Sequence, residues 1–336
     1  MNNSKILVSG IQPSNKLTLG NYIGAIKNFV KLQNEYDSYL FVADYHMLTS
    51  SFDPAVLAVN SLEVIKYYLA AGLNPERCRI FYQSAVPEHL ELCYLLLVQT
   101  SLGELNRMTQ FKDKSQQVTL KNKTVTIPTG LLIYPVLMAA DILMYDAHLV
   151  PVGEDQRQHL ELARNIAIRI NNKYQKDFFV IPEEYIVKVG ARIMDLQNPL
   201  AKMSKSSITD RGTIFLTDPI NVARNKIMNA KTDSLNSINF DRENQPGVTN
   251  LIEIYCGLTD TAINEFVTSL KDQSYKVLKE KVADVVCDFL AKIQNKYNTI
   301  DDLALATMLK HNHQHCQKIA QKKINQLQQL YGLQHH

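Results

Sequence analysis

The hydrophobic period of this chain changes once, near Asp218, and that change limits the folds open to it. From residue 5 to about 200, short β-rich runs alternate with longer helical ones. Strand candidates are 5–9, 39–43, 79–82, 148–151 and 187–194, and helix candidates are 21–35, 54–71, 88–105, 129–145 and 154–172. Such alternation predicts an α/β fold with a doubly wound, Rossmann-like parallel sheet, whose ligand sits beyond the carboxyl ends of the strands. Beyond Asp218 the strand signal stops and helix periodicity takes over, most clearly in 274–297 and 301–331. Leu278, Val282, Val286, Leu290 and Ile293 mark one apolar face of the first of these. The chain therefore reads as a sheet-based unit over 1–200, a loop and linker over 201–217, and a helical unit over 218–334 whose last helices can pack back on the first. With 46% hydrophobic residues among 336, it can build its core without disulfide or metal staples.

Two loops carry chemistry. Lys202-Met203-Ser204-Lys205-Ser206 places two lysines three apart on small, hydroxyl-bearing residues, which suits a triphosphate about to be split; an ordinary solvated loop can share that pattern. Ser9 to Asn21 lies between a buried strand, Lys5 to Val8, and an amphipathic helix starting at Tyr22. Gly10 and Gly20 allow close backbone approach there, and Thr18 and Asn21 offer neutral hydrogen-bonding side chains. A strand, a loop and a helix start favour an anion, because unpaired N–H groups and the positive end of the helix dipole point the same way.

Six motifs then stand in order: Gly-Ile-Gln-Pro-Ser at 10–14, Thr-Leu-Gly-Asn at 18–21, Met-Thr-Gln-Phe-Lys at 108–112, Pro-Val-Leu-Met-Ala-Ala-Asp-Ile-Leu at 135–143, Val-Pro-Val-Gly-Glu-Asp-Gln at 150–156 and Lys-Met-Ser-Lys-Ser at 202–206. Together they resemble the bacterial-type tryptophanyl-tRNA synthetases, a branch of the class I aminoacyl-tRNA synthetases, over nearly the whole chain. The 150–156 run is the more specific signal, since class I enzymes share the two ATP signatures in some form. The resemblance implies activation of L-tryptophan by ATP to tryptophanyl-adenylate and pyrophosphate, followed by transfer of tryptophan to the 3′ adenosine of tRNA(Trp). It implies Mg2+ with the ATP but no dedicated protein ligands for it, a homodimer, and a helical part that binds tRNA and its anticodon.

Site residues follow from the same resemblance. Lys112, Lys202 and Lys205 supply positive charge to the pyrophosphate side, and Thr18 and Asn21 stand where other class I enzymes have histidines. Gln12, Pro13, Ser14, Gly20, Asn21, Gly153, Glu154, Asp155, Ile193, Lys202, Met203, Ser204, Lys205 and Ser206 form the ATP site. The bland readings are a helix cap for Thr18, an acidic helix start for Glu154 and Asp155, and core packing for Ile193. Asn15 replaces the usual glycine, which predicts left-handed backbone there. Substrate choice rests on Asp141, a carboxylate in the strongly apolar run 129–145 that needs a partner to offset its desolvation. An acceptor-only carboxylate is the complement of the donor-only indole N–H. Gln12, His46, Tyr134, Met138, Val150, Val152 and Gln156 complete the tryptophan site, with simple core packing the alternative for Met138 and the valines.

The balance of 36 Lys and Arg against 33 Asp and Glu gives +3, too little for a polycation that wraps nucleic acid, so contact with RNA must be a local patch and DNA is not an expected partner. Lys310, Lys318, Lys322 and Lys323 give the last helix a basic side, which a merely solvated face also explains. The segment 112–128, with Lys121 and Lys123, has no periodicity and reads as a mobile surface excursion. Five cysteines without a CxxC pair argue for reduced thiols, and the N-terminal residues hold neither a secretory nor a membrane-spanning run. Cytoplasm is the expected location. Two rival functions are a tyrosyl-tRNA synthetase, against which the 150–156 run stands, and a non-catalytic paralogue, against which the retained lysines stand.

Overall fold

The computed structural model describes residues 5–113, 115, 127–185, 192–203 and 210–333. Strands β1 (Ile6–Ile11), β2 (Asp37–Val42), β3 (Cys78–Tyr82), β4 (Leu149–Pro151) and β5 (Glu183–Tyr185) form one sheet in the order β3-β2-β1-β4-β5. Every pairing is parallel, with Ile6 beside Asp37 and Leu7 beside Leu149. Helices α1 (Leu19–Asn21), α2 (Lys27–Leu32), α3 (Asp44–Met47), α4 (Pro54–Ala71), α5 (Glu88–Leu97), α6 (Leu102–Asn106), α7 (Thr129–Leu143) and α8 (Arg157–Tyr174) lie along the strand connections. They are followed by α9 (Ile220–Met228), α10 (Pro246–Thr259), α11 (Ile263–Ser269), α12 (Tyr275–Asn298) and α13 (Asp302–Tyr331). The strand order reverses at β1, which opens a crevice beyond the carboxyl ends of β1 and β4.

Strand alternation divides the interior between two cores. Leu7, Leu40, Val42 and Ile80 enter one, and Val8, Tyr39, Phe41 and Phe81 enter the other. The first core also takes Leu251 of α10 and Leu278, Val282, Val286 and Leu290 of α12, so the helical part is welded to one sheet face. The second takes Cys316, Ala320, Ile324 and Leu327 of α13. That helix covers the open edge of β3: Asn312 Nδ2 donates to the Ile80 carbonyl at 3.0 Å, and the Tyr82 N–H donates to His313 Nε2 at 3.3 Å. No helix among the described residues is long and apolar enough to cross a membrane.

Local sequence explains most element boundaries. Helix α4 starts where Asp53 accepts from the Ala55 N–H and Pro54 fills the first turn, and it stops at Gly72 with φ of 107°. The predicted helix 88–105 is instead two, because Ser101 and Glu104 form a capping box that begins α6 afresh. The helix expected over 21–35 starts earlier, at Leu19, and widens into a π-helical turn over Tyr22–Ile26 before α2. The last strand is shorter and earlier than 187–194. Residues 186–191 lie outside the described residues, and Met194 makes only an isolated antiparallel bridge with Lys202. Asn15 does not adopt the expected left-handed backbone; Asp146, Gln175, Asn236, Asp260 and Asp272 are the described non-glycine residues with positive φ.

Close approach rather than left-handed backbone fixes Gly247, in the first turn of α10. A Cβ there would lie 2.1 Å from the Lys231 carbonyl oxygen, a backbone atom that cannot swing aside. Gly247→Ala should therefore lower stability by about 1–3 kcal/mol, read as a fall in the midpoint of thermal unfolding.

Candidate active site

The crevice beyond β1 and β4 is a cleft of about 1210 Å3. Its floor comes from β1 (Val8, Ser9, Gly10) and β4 with its following loop (Val150, Val152, Gly153 to Gln156). One wall is α7, which presents Tyr134, Met138 and Asp141 on a single face at helical spacing. Gln12 stands at the end of β1, and His46, in the short α3, is carried there by the end of β2. Of the predicted tryptophan-site residues, Gln12, His46, Tyr134, Met138, Asp141, Val150, Val152 and Gln156 all line this one cleft.

Asp141 is 1% exposed and is already held by three protein donors. His46 Nε2 lies 2.8 Å from its Oδ2, while His89 Nδ1 at 2.6 Å and Gln83 Nε2 at 2.7 Å both meet Oδ1. Burial opposes the charge, but the hydrogen bonds from His46 and His89 outweigh it and take the carboxyl down to about 2. The partner that this buried carboxylate was expected to need is thus present threefold within the protein: His46, His89 and Gln83 offset its desolvation. Sequence reasoning missed Gln83, which arrives from the turn after β3, and His89, from the first turn of α5; neither has a local signal pointing at Asp141.

A second network orders the other side of the cleft. Tyr134 Oη donates to Gln110 Oε1 at 2.9 Å, and Gln110 Nε2 donates to the Asp155 carbonyl at 2.9 Å and to its Oδ2 at 3.0 Å. His159 Nε2 is 3.2 Å from Tyr134 Oη, and its Nδ1 is 2.7 Å from Gln156 Oε1. Gln110 therefore ties the 108–112 motif to the 153–156 motif through side chains. Neither Gln110 nor His159 was among the predicted site residues. Arg192, also unpredicted, adds a cation to the lining beside Lys202.

The loop from Ser9 to Asn21 is organised differently from the rest. Thr18 is buried and caps α1 in a reciprocal box with Asn21, its N–H donating to Asn21 Oδ1 at 3.0 Å and the Asn21 N–H donating to Thr18 Oγ1 at 3.2 Å. Both side chains are thus engaged with each other, and neither lines the cleft. Leu19 N–H donates to the Ile214 carbonyl and Leu216 N–H to the Leu17 carbonyl, both at 2.9 Å, pairing this loop with the chain just after the 202–206 pentamer. A Cβ on Gly20 would lie 3.5 Å from Ile193 Cβ and 3.9 Å from Met203 Cβ, so the three residues are packed together; Ile193 and Met203 belong to the sheet core. Pro13 is buried with its carbonyl 3.4 Å from Asn60 Nδ2, and Ser14 is partly buried. Lys202 is exposed and lines the cleft, and Lys112 is exposed without lining it. Ser204, Lys205 and Ser206, like Lys121 and Lys123, lie outside the described residues.

Known proteins share this fold. Residues 1–291 match the family described as tRNA synthetases class I (W and Y). A tryptophan–tRNA ligase of Malacoplasma penetrans is 52% identical over 98% of both chains. The chain belongs to the bacterial tryptophanyl-tRNA synthetases. The crystal structure of the Mycoplasma pneumoniae tryptophanyl-tRNA synthetase superposes with a TM-score of 0.90 at 40% identity over 98% of each chain. That of Campylobacter jejuni, complexed with ADP and tryptophan, does so with a TM-score of 0.78 at 33% identity, covering 98% of this chain and 100% of that one. The family assignment names the chemistry: a synthetase of this kind brings together an amino acid, an ATP and a tRNA end.

Proposed function

We propose that this synthetase activates L-tryptophan with ATP in the cleft between β1 and β4 and then esterifies the 3′ adenosine of tRNA(Trp). The single observation that carries the reading is Asp141, a buried, ionised acceptor on the cleft wall with Tyr134 and Met138 beside it. In the first step an oxygen of the tryptophan carboxylate attacks the α-phosphorus of ATP while the bond to the β-phosphate oxygen breaks and pyrophosphate leaves. Both partners are anions, so the protein's work is alignment and charge neutralisation. Lys202, joined by Lys112 and Lys205, neutralises the pyrophosphate side. Gly10, Gln12 and the 153–156 loop hold the nucleotide along the ends of β1 and β4. Thr18 and Asn21 serve it by shaping the loop, with their side chains available to phosphate once their mutual bonds are exchanged. Mg2+ accompanies the triphosphate.

Aminoacylation tests the reading directly. Purified protein with ATP and Mg2+ should charge a tRNA(Trp) transcript with labelled tryptophan; failure to charge it would reject the assignment.

A homodimer and a cytoplasmic setting complete the proposal. Val56 and Val59 of α4, and Leu90 and Tyr94 of α5, are apolar yet exposed, Val59 by 59% and Tyr94 by 67%. Exposed apolar stripes of this kind are what a two-fold partner covers. Val59→Glu should shift the protein from dimer to monomer in sedimentation velocity. For tRNA, α13 offers Lys310, Lys318 and Lys322 on its exposed side. Lys323 leaves that set: it is buried, with Nζ 2.6 Å from Asp146 Oδ2.

A further inference from the structure

A carboxylate accepts about four hydrogen bonds, two per oxygen. His89 and Gln83 fill both positions on Asp141 Oδ1, and His46 takes one on Oδ2. Among the contacts of the described residues, one acceptor position is left, on the oxygen that His46 shares from the cleft lining. An indole offers one N–H. The count on the protein side thus matches the count on the ligand side.

His89 is itself held from behind. It is fully buried, and its Nε2 lies 2.8 Å from Tyr145 Oη, whose ring is buried and stacked on Tyr39 at 4.6 Å. Asp141 can only accept, so the proton between them sits on His89 Nδ1; Tyr145 then donates to Nε2 and fixes that tautomer. The chain runs Tyr145 O–H to His89 Nε2, and His89 Nδ1–H to Asp141 Oδ1.

We propose that His89 and Gln83, with Tyr145 behind His89, are positioning residues for tryptophan selection: they saturate Oδ1 of Asp141 and so turn the one remaining acceptor position, on Oδ2, toward the indole N–H. None of the three needs to touch the substrate. Their effect passes through the carboxylate. The inference rests on Asp141 being the acceptor for the indole, and the test separates the two ideas.

The experiment compares kcat/KM in ATP–pyrophosphate exchange for tryptophan and for benzothienylalanine, an isostere with sulfur in place of the indole N–H. His89→Leu should lower the tryptophan value about 10–100-fold, mostly through KM, while the benzothienylalanine value changes less than about 3-fold, since only the first substrate uses the bond to the charged group. His89→Asn, whose amide can take the place of the Nδ1–H donor, should recover much of the preference. Tyr145→Phe removes one oxygen and should shift the ratio in the same direction by a smaller factor, which keeps the test open if His89→Leu does not fold. Equal losses for both substrates, or an unchanged ratio in His89→Leu and Tyr145→Phe, would overturn the inference. Asp141→Asn sets the reference: if it leaves the wild-type ratio intact, the reading of Asp141 as indole acceptor fails as well; if it collapses the ratio while the His89 and Tyr145 variants keep it, the positioning role alone fails.

Discussion

Asp141→Asn should cost about 10–10²-fold in kcat/KM for tryptophan activation and should also destabilise the fold. The first effect follows from the loss of a charged acceptor, since a hydrogen bond to an ionised group contributes about 1.5–3 kcal/mol. The second follows from the three donors that converge on this carboxylate. An amide turned either way sets its NH2 against at least one of them, leaving buried donors without an acceptor. Asp141→Ala should be worse, because it strands all three, and buried groups stripped of a charged partner typically cost about 3–5 kcal/mol. The pH dependence has a definite sign. The folded carboxyl sits at about 2, below its ordinary value of 3.8. Its contribution to stability is therefore complete above the unfolded value and fades as pH falls from roughly 4 toward about 2. In Asp141→Asn the acid limb of the stability profile should lose that component, as seen by denaturant titrations across this window.

Lys202→Ala should lower the rate of adenylate formation by about 10²–10³-fold with a smaller change in KM for tryptophan, because removal of one well-placed donor to developing charge usually costs that much. Lys202 lines the cleft from a segment whose root is firmly set. The Met203 N–H donates to the Ile193 carbonyl at 2.9 Å, and Asn250 of α10 pairs with both backbone groups of Met194, at 2.8 and 2.9 Å. The variant should therefore fold normally, and single-turnover measurement of adenylate should isolate the chemical step. A loss in tryptophan affinity alone would place Lys202 outside the reacting centre.

Much of the site is legible in the sequence because it is written in local patterns. Tyr134, Met138 and Asp141 share a face through helical spacing, and the loops after β1 and β4 follow strands whose alternation is plain. What escapes reading comes from distant turns. Gln110 reaches the cleft, and Gln83, His89 and His159 reach the side chains that line it, only because β3, the chain after α6 and the start of α8 all end at the same crevice, and no spacing along the chain records that convergence. Thr18 and Asn21 show the opposite limit. Their motif is visible, yet their capping box is a local competition between helix start and ligand that the motif alone does not describe. Val98 to Ser101 interrupts a helix whose apolar period runs unbroken in the sequence, because a Ser and a Glu three apart restart it more favourably than they continue it.

The measurement that tests the account most directly is ATP–pyrophosphate exchange by the purified protein with tryptophan, tyrosine and phenylalanine supplied singly. Exchange should be driven by tryptophan, with only traces from the other two, since phenylalanine lacks any donor for Asp141 and the phenol of tyrosine places its donor differently from an indole N–H. Exchange driven by tyrosine, with none from tryptophan, would contradict it.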